Sequence, residues 1–459
     1  MNSISELLQT GLVDPTLVLA LAGLLWTCGL GPRRLSPRVQ LVLVVVIALG
    51  SLGQLTLGIY RSYTVPRDVM QDIIAAEEFA AGRPMHPPDM NVKIGEALER
   101  EGPRYSLLES FPTLATREAE QKRLMLHEHW VQAHPPAMTL FTVPFVSAFG
   151  ILGTQIAYSI IGIFSLAVVL QILHKEFWPA EAPLLWSGVV FVVFGWEPVV
   201  TVIRLQQPGL MLLALAVLSW HAIRNERTVL AGVLIATASL LKIVPAIVLI
   251  VLSVRKRSTF LAALGTLILA ACLIVLIVPW SDLQDYHETT QEVIAEYAAY
   301  PANISLLGAL ARVFRYFGMP FQWAKFAWQA SAIALVAGLF RRDLLPFTSR
   351  VPREFPLEYN VALGLSLIPI LSPVAWDHYE IFHLVSLAVI GCHRCRSTTA
   401  VGFWSLIVCL AIPDQTYIWA MASAHQAGLP LVEYGLLAPF RAYLGFVILG
   451  WLYRLRNRA

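Results

Sequence analysis

The chain alternates between long apolar runs and shorter polar connections. The runs lie near 15–31, 39–60, 137–152, 154–173, 183–203, 208–222, 229–253, 259–279, 322–340, 358–375, 379–391, 398–412 and 432–452. An apolar stretch of about twenty residues is long enough for one helix to cross a bilayer. The pattern therefore predicts an all-α polytopic membrane protein, a single integral membrane domain over 1–459 with about 11–13 transmembrane helices.

Composition supports this class. Hydrophobic residues make up 57% of the chain and charged residues 14%, whereas soluble domains carry about 25% charged residues. The formal net charge of +3 is too small to indicate a nucleic-acid partner. The run 15–31 lacks a basic segment before it and a small-residue cleavage site, so we expect a retained helix rather than a signal peptide.

Basic clusters predict the orientation, because Lys and Arg are retained on the cytoplasmic side. The clusters are "PRRLSPR" (32–38), "VRKR" (254–257), "RRD" (341–343), "CHRCR" (392–396) and the C-terminal "RLRNRA". We expect these on the cytoplasmic side, together with the C-terminus. The polar stretches 61–134 and 280–321 are then the first and second extracytoplasmic loops, and "WDHYE" and 413–431 also face outside.

The run 229–253 has two interpretations. Basic "RNER" (224–227) and "VRKR" flank it, and both are typical of cytoplasmic ends. Lys242 and Pro245 interrupt it near its middle, where a lysine costs ~2.5–3.5 kcal/mol and a proline removes a helical hydrogen bond. Either the run is a single span, or two half-helices rise and return with Lys242 at the turn. We favour the hairpin.

Polar residues at the ends of apolar runs are the candidates for function, because ionisable groups in a membrane are costly. "FGWEPVVTVIRLQQPG" (194–209) and "SPVAWDHYEIFH" (372–383) hold most of them, and "YPANIS" and "HPPAM" add one each. Pairing of Arg204 with Glu197 is the structural alternative. "CHRC" and "HEH" lack further ligands for a metal site, and no nucleotide-binding glycine loop is present. The candidates are Glu197, Arg204, Gln206, Gln207, Asn303, Asp377, His378 and His134.

Several motifs in order resemble glycosyltransferase family 87. They are an aspartate after an early helix (Asp68), the loop "GRPMHP", the double-proline entry "HPPAMTLFTVPF", "LAGVLIATASLLKIVPAIVLIVL", "NISLLGALARVF" and "LSPVAWDH". The resemblance covers roughly residues 60–385. The chain departs from it at "DVMQDI", at "LQQPG" and at Tyr379, so its donor and acceptor can differ from those of characterised members.

The resemblance implies a GT-C-type bundle, with short helices in the outer loop, in a multi-pass plasma-membrane enzyme. It implies transfer of a hexose, with mannose expected, from a polyprenyl phosphate to a glycolipid or glycan acceptor at the extracytoplasmic face, without a metal or other cofactor. Asp68 would be the general base and Asp72, one helical turn later, the reserve. Arg204 and Lys242 would hold the donor phosphate. His378, oriented by Asp377, would contact phosphate or acceptor.

Alternatives remain open at each of these positions. Asp68 can instead cap the following helix, and Asp377 with His378 can be a cap and a solvated histidine. His134 can line the cleft or lie in the loop. Two other classes of protein also fit in part. A secondary transporter buries charges at broken helices but usually has two related halves, and a lipid-linked glycan polymerase or ligase shares the outer loop and basic groups.

Overall fold

The structure is a computed structural model that describes residues 37–64, 68–87, 89–100, 134–178, 183–253, 256–300, 303–344, 357–394, 407, 410 and 440–457. Within these ranges every regular element is a helix, which confirms the all-α prediction. The predicted run 15–31, most of 398–412 and the stretch 413–431 lie outside the described residues. The helices are α1 Pro37–Thr64, α2 Asp68–Ala80, α3 Met90–Arg100, α4 Pro136–Phe177, α5 Pro183–Gly195, α6 Glu197–Leu205, α7 Gly209–Arg224, α8 Thr228–Leu241, α9 Ala246–Ser253, α10 Arg257–Ile277, α11 Trp280–Tyr297, α12 Leu306–Tyr316, α13 Phe321–Leu344, α14 Leu357–Leu371, the 3₁₀ helix η1 Asp377–His383, α15 Leu384–Arg394 and α16 Phe440–Arg456.

Long apolar helices are fewer than the predicted spans. Among the described residues, three helices are long and apolar enough to cross a membrane: Pro136–Phe177, Arg257–Ile277 and Phe321–Phe340. A fourth is added if α6 and α7 together form one broken span. The predicted number of about 11–13 spans stays a prediction. Several other apolar runs, among them 183–203 and 229–253, fold as shorter helices, because polar residues, prolines and glycines interrupt them.

Helix α4 is a helical hairpin rather than one rod. Gly150 has φ 64° and ψ −168°, a conformation almost confined to glycine. Thr142 Oγ1 and Tyr158 OH are 2.6 Å apart, although an unbroken helix would separate these residues by about 24 Å. The chain therefore reverses at Gly150, and the two predicted segments 137–152 and 154–173 are confirmed as separate arms.

Helices α6 and α7 meet at a second break, with an angle of 115° between them. Gln206 ends α6 in the left-handed conformation, with φ 52°, and Pro208 precedes α7. The first predicted run, 183–203, therefore forms two helices, because α5 ends at Gly195 and α6 begins at Glu197. The second run, 208–222, forms α7.

The third break confirms the predicted interruption at Lys242. Helix α8 ends at Leu241, Lys242 is extended and α9 starts at Ala246. A Cβ on Gly232 would lie 2.5 Å from the carbonyl oxygen of Thr259. The few residues between Ser253 and Thr259 reach at most about 20 Å, whereas a straight path from Gly232 to Ser253 exceeds roughly 30 Å. Helices α8 and α9 are therefore not one straight span, which favours the hairpin.

The breaks lie around a continuous buried core, while the uninterrupted helices stand at its edge. The core includes helices from α2 to α16, with Trp220 stacked on Phe177 at 5.8 Å. Helices α1, α10 and α13 instead expose large apolar side chains, among them Leu49 (66%), Leu276 (80%) and Ile333 (71%). An apolar surface of this extent is typical of a lipid-facing surface.

The segments predicted to face outside contact one another. The backbone N–H of Met85, in the first loop, donates to the buried Asp282 carboxylate at the start of α11. Asn303, in the second loop, donates to the carbonyl of Pro373, next to "WDHYE". These contacts place the three segments at one end of the bundle, as a common extracytoplasmic side requires.

Three of the basic segments predicted to be cytoplasmic contact the ends of other helices. Arg224 at the end of α7 forms a salt bridge with Glu176 near the end of α4, at 2.8 Å. Cys392 Sγ, in the "CHRCR" cluster, lies 3.7 Å from the Phe177 carbonyl. Arg456 in the C-terminal helix donates to Asn360 near the start of α14 at 3.1 Å. These contacts and those of the polar loops lie in two separate groups, as expected for the two ends of a membrane-spanning bundle. Which end is cytoplasmic stays a prediction from the basic clusters.

Candidate active site

Two helix breaks and the start of α2 meet through one glutamine. Gln207, in the α6–α7 break, donates from Nε2 to Asp68 Oδ2 at 2.9 Å. Its Oε1 accepts from Lys242 Nζ, in the α8–α9 break, at 3.2 Å. The side chain of Gln207 thus holds a carboxylate and an ammonium group within about 8 Å of each other. We call Asp68, Gln207 and Lys242 the central triad.

The contacts of Asp68 test the alternative that it only caps the N-terminus of α2. It is the first residue of α2 and is partly exposed. Within the described part of the chain, its one hydrogen bond comes from Gln207, on a distant helix break, and none comes from the N–H groups of α2. The carboxylate is therefore engaged in the central triad, and its Oδ1 is left for another hydrogen-bond donor.

Lys242 is held by an aromatic face as well. Its Nζ lies 4.8 Å from the centroid of the Tyr379 ring, in η1. A cation over an aromatic face is attracted by the ring quadrupole. Because Lys242 is extended rather than helical, its ammonium reaches both Gln207 and Tyr379 at a point where the backbone is already interrupted.

Arg204 is the second cation near the triad. It lies in the last turn of α6, two residues before the break, and is half-buried. In the residues that the structure describes it forms no salt bridge, so the alternative pairing with Glu197 is not formed there. Glu197 instead accepts a hydrogen bond from Thr201 Oγ1 at 3.2 Å. Arg204 is thus available to an anion beside the break.

Asp72 and His134 form a separate pair. His134 Nδ1 lies 3.0 Å from both carboxylate oxygens of Asp72. The Asp72 side chain is 2% exposed and the His134 side chain 13%. His134 is therefore packed against α2 rather than lying in an open loop, and the carboxylate of Asp72 is already engaged. Asp68 and Asp72 share one helix but have different partners.

Asp377 and His378 are buried in η1, next to Tyr379. His378 is 3% exposed, which disagrees with the alternative of a solvated histidine. Its Nδ1 lies 3.7 Å from Asp377 Oδ1, too far for a hydrogen bond. Within the described residues neither ring nitrogen of His378 has a hydrogen-bond partner. The Asp377 carboxylate thus lies beside the ring at ion-pair distance without a hydrogen bond to it, and the orientation of His378 by Asp377 stays a prediction.

Two of the predicted site residues are used inside the protein. Asn303 is fully buried; its Nδ2 lies 3.2 Å from the carbonyls of Tyr297, Ala298 and Pro373, and its Oδ1 accepts from the N–H groups of Ser305 and Ala375. Gln206 donates to the Gln155 carbonyl and to Ser159 Oγ, both in α4. We assign Asn303 the task of joining the second loop to residues 373–375, and Gln206 the task of fixing the α6–α7 break.

One partner of a buried ion pair close to the site, Arg441, was missed in the sequence. Arg441 Nη1 in α16 lies 3.1 Å from Glu380 Oε1 in η1, and both side chains are buried. Arg441 stands in the middle of the predicted apolar run 432–452, so the rule that ionisable groups in a membrane are costly would have identified it. No cluster of three or more His, Cys, Asp or Glu residues that could hold a metal is found in the described residues.

Comparison with protein families gives one match. The model of glycosyltransferase family 87 matches residues 132–373, more than half of the chain. No curated protein and no solved structure matches the chain. The matched segment contains Gln207, Lys242 and Arg204, whereas Asp68 and Tyr379 lie on either side of it and reach it through contacts.

Proposed function

The chain belongs to glycosyltransferase family 87, and on that premise we propose that this membrane glycosyltransferase uses a polyprenyl-phosphate sugar as its donor. The transferred sugar is a hexose, with mannose expected, and the acceptor is a glycolipid or cell-envelope glycan. The reaction takes place at the extracytoplasmic face of the plasma membrane, in a multi-pass protein with a cytoplasmic C-terminus. The enzyme requires no metal or other cofactor.

The observation that carries this proposal is the central triad. A glycosyl transfer from a phosphate needs a base for the incoming hydroxyl and positive charge for the leaving phosphate. Asp68 supplies the carboxylate and Lys242 the ammonium, and Gln207 hydrogen-bonds to both. Their separation of within about 8 Å leaves room for a sugar carbon between an attacking and a leaving oxygen.

The reaction then follows from the groups present. The acceptor hydroxyl donates its proton to the Asp68 carboxylate while its oxygen attacks the anomeric carbon of the sugar. The bond between that carbon and the phosphate oxygen breaks, and the electron pair leaves with the polyprenyl phosphate. The products are the glycosylated acceptor, polyprenyl phosphate and a protonated Asp68, which returns its proton to water before the next turnover.

The leaving phosphate is stabilised by cations rather than by a proton donor. Lys242 and Arg204 flank the α6–α7 break, and Arg204 has no salt-bridge partner in the described residues. Hydrogen bonds from charged donors to an anion are worth about 1.5–3 kcal/mol each. Broken helices supply such sites in membrane proteins, since interrupted backbone is tolerated where it lines a polar cavity.

The test is transfer by the purified protein. Radiolabelled polyprenyl-phosphate mannose, polyprenyl-phosphate glucose and a soluble nucleotide sugar are each incubated with the protein and a lipid extract, and labelled glycolipid is scored. We expect product from a polyprenyl-phosphate sugar and none from the nucleotide sugar. Transfer from the nucleotide sugar alone would contradict the proposed donor, and no transfer from any of them would contradict the enzymatic proposal with these acceptors.

A further inference from the structure

The last described helix is joined to the 3₁₀ helix beside the site by the ion pair of Arg441 and Glu380. The two charged atoms are 3.1 Å apart, and the side chains are 5% and 2% exposed. Helix α16 lies outside the segment 132–373 that the family model matches. A buried charge is costly unless it is paired, so this contact fixes α16 and η1 relative to each other.

Glu380 is covalently next to the residue that contacts Lys242. Tyr379 precedes it in η1, is 6% exposed and presents its ring 4.8 Å from the Lys242 ammonium. Tyr379 and Glu380 share the backbone of one short 3₁₀ helix, which has about three residues per turn. A shift of the η1 backbone at Glu380 would therefore also move the Tyr379 ring that lies beside Lys242.

Other contacts hold α16 closely against the same region. A Cβ on Gly445 would lie 2.9 Å from Ile370 Cδ1 in α14, so only glycine permits this approach without a shift. His383, the last residue of η1, lies 3.0 Å through Nδ1 from Ser366 Oγ, also in α14. Helix η1 is thus held by an ion pair at Glu380 and by a hydrogen bond at His383.

We infer that Arg441 and Glu380 are positioning residues for the donor phosphate site, acting through Tyr379 on Lys242. The inference rests on the proposed function, in which Lys242 binds the phosphate. It gives the C-terminal helix a part in the site, although that helix contributes no group that touches the substrate. A chain of contacts runs from Arg441 through Glu380, Tyr379 and Lys242 to Gln207 and Asp68.

The ion pair allows a sharp test, because removing both charges differs from removing one. A single substitution leaves an uncompensated buried charge, whereas replacing both partners with apolar residues is often neutral for stability. The test variant is therefore the double substitution Glu380→Leu with Arg441→Met. The control is Asn360→Leu with Arg456→Met, which removes a buried contact of 3.1 Å at the other end of the same helix. Arg456 also donates to the Leu339 carbonyl, so the control loses one hydrogen bond more.

Both double variants are purified and compared with wild type by thermal unfolding and by donor KM and kcat for transfer. We expect the test variant to unfold near the wild-type temperature and the control somewhat below it, because the control also loses the hydrogen bond from Arg456 to the Leu339 carbonyl. Only Glu380→Leu with Arg441→Met should raise the donor KM or lower kcat, by about tenfold or more, as loss of a charge-assisted contact would. Tyr379→Leu should show a similar loss, and adding the double substitution to it should cause little further change.

Wild-type donor kinetics in Glu380→Leu with Arg441→Met would overturn the inference and leave the proposed function standing. An equal loss in the control pair would overturn it too, since the effect would then be general to α16. If the test variant does not fold, two substitutions of Tyr379 replace it in the test. Tyr379→Phe keeps an aromatic face for Lys242 and should retain about tenfold more activity than Tyr379→Leu. Equal activities of the two would overturn the inference. An inactive wild type would instead contradict the proposed function, and the inference would fall with it.

Discussion

Helix α10 packs against the segment formed by α8 and α9, and the two differ in continuity: α10 is one unbroken helix, whereas the α8–α9 segment is interrupted. Helix α10 runs without interruption from Arg257 to Ile277 and exposes apolar side chains such as Leu276. The neighbouring segment is equally apolar but breaks at Lys242, and its lysine reaches Gln207 and Tyr379. Continuous helices satisfy their own backbone and suit contact with lipid. The interrupted helices bring polar side chains to one place, and that place is the candidate active site.

The largest effect that sharpens this comparison is expected at Lys242. Replacing it with methionine removes the cation from the α8–α9 break and should slow transfer by roughly tenfold to more than a hundredfold, the equivalent of ~1.5–3 kcal/mol. Single-turnover transfer rates of the purified variant measure this loss.

The matched control for Lys242→Met is Lys325→Met, in the continuous helix α13, where the lysine contacts Gln291 at 3.4 Å. It should transfer at nearly the wild-type rate. Equal losses in both variants would show that the break has no special importance.

The next effect separates two adjacent glutamines in the α6–α7 break. Gln207→Met should reduce transfer by about tenfold with little change in stability, because Gln207 joins the central triad. Gln206→Met should instead destabilise the protein by about 1–3 kcal/mol, since it removes two buried hydrogen bonds to α4. Transfer assays and chemical unfolding of both variants measure the two effects, and the reverse result would interchange the two assignments.

A smaller effect concerns two glycines, one in a break and one in a continuous helix. Gly150→Ala places a side chain at φ 64° and should destabilise the fold by about 1–3 kcal/mol. Gly265→Ala, in α10, meets nothing within 4 Å and should stabilise it by up to about 1 kcal/mol. Unfolding in a fixed detergent compares them. A neutral Gly150→Ala would mean that the reversal of α4 does not depend on glycine.

The smallest effect is a dependence on pH at Glu78, near the end of α2. Arg83 forms two hydrogen bonds with Glu78, and Lys93 lies 3.1 Å away; the hydrogen bond with Arg83 is the main cause that lowers the pKa of Glu78 below its usual 4.5. The stabilisation is present above the unfolded pKa and is lost as the pH falls through the lowered folded value. Unfolding measured at pH values below about 4.5 should therefore show a flatter dependence for Glu78→Gln than for wild type.

The helical class and the interruption at Lys242 could be predicted from the sequence. Long apolar runs predict helices because the pattern is local in the sequence. Lys242 and Pro245 predict an interruption because each is costly inside a membrane helix. The return of α4 at Gly150 could not be predicted. The boundary between two apolar runs was visible, but the reversal depends on a positive φ and on the contact between Thr142 and Tyr158.

The tasks of neighbouring polar residues could not be predicted either. Gln206 and Gln207 have the same chemistry, and only the left-handed conformation of Gln206 decides which side chain faces α4 and which faces Asp68. Asn303 looked like a substrate ligand in the sequence, yet its amide joins the second loop to residues 373–375. Such outcomes depend on contacts between residues far apart in the chain.

The most direct test of the central claim is the transfer rate of Asp68→Asn beside that of Asp72→Asn. Asparagine keeps the size of the side chain and an oxygen that can cap a helix, so a capping role would be preserved. It accepts no proton at neutral pH, so a role as general base would be lost. The account predicts that Asp68→Asn loses about 10²–10⁴ in rate, the usual effect of removing a general base, and that Asp72→Asn loses much less. A near-normal rate in Asp68→Asn together with a collapse in Asp72→Asn would contradict the account and move the base to the carboxylate paired with His134.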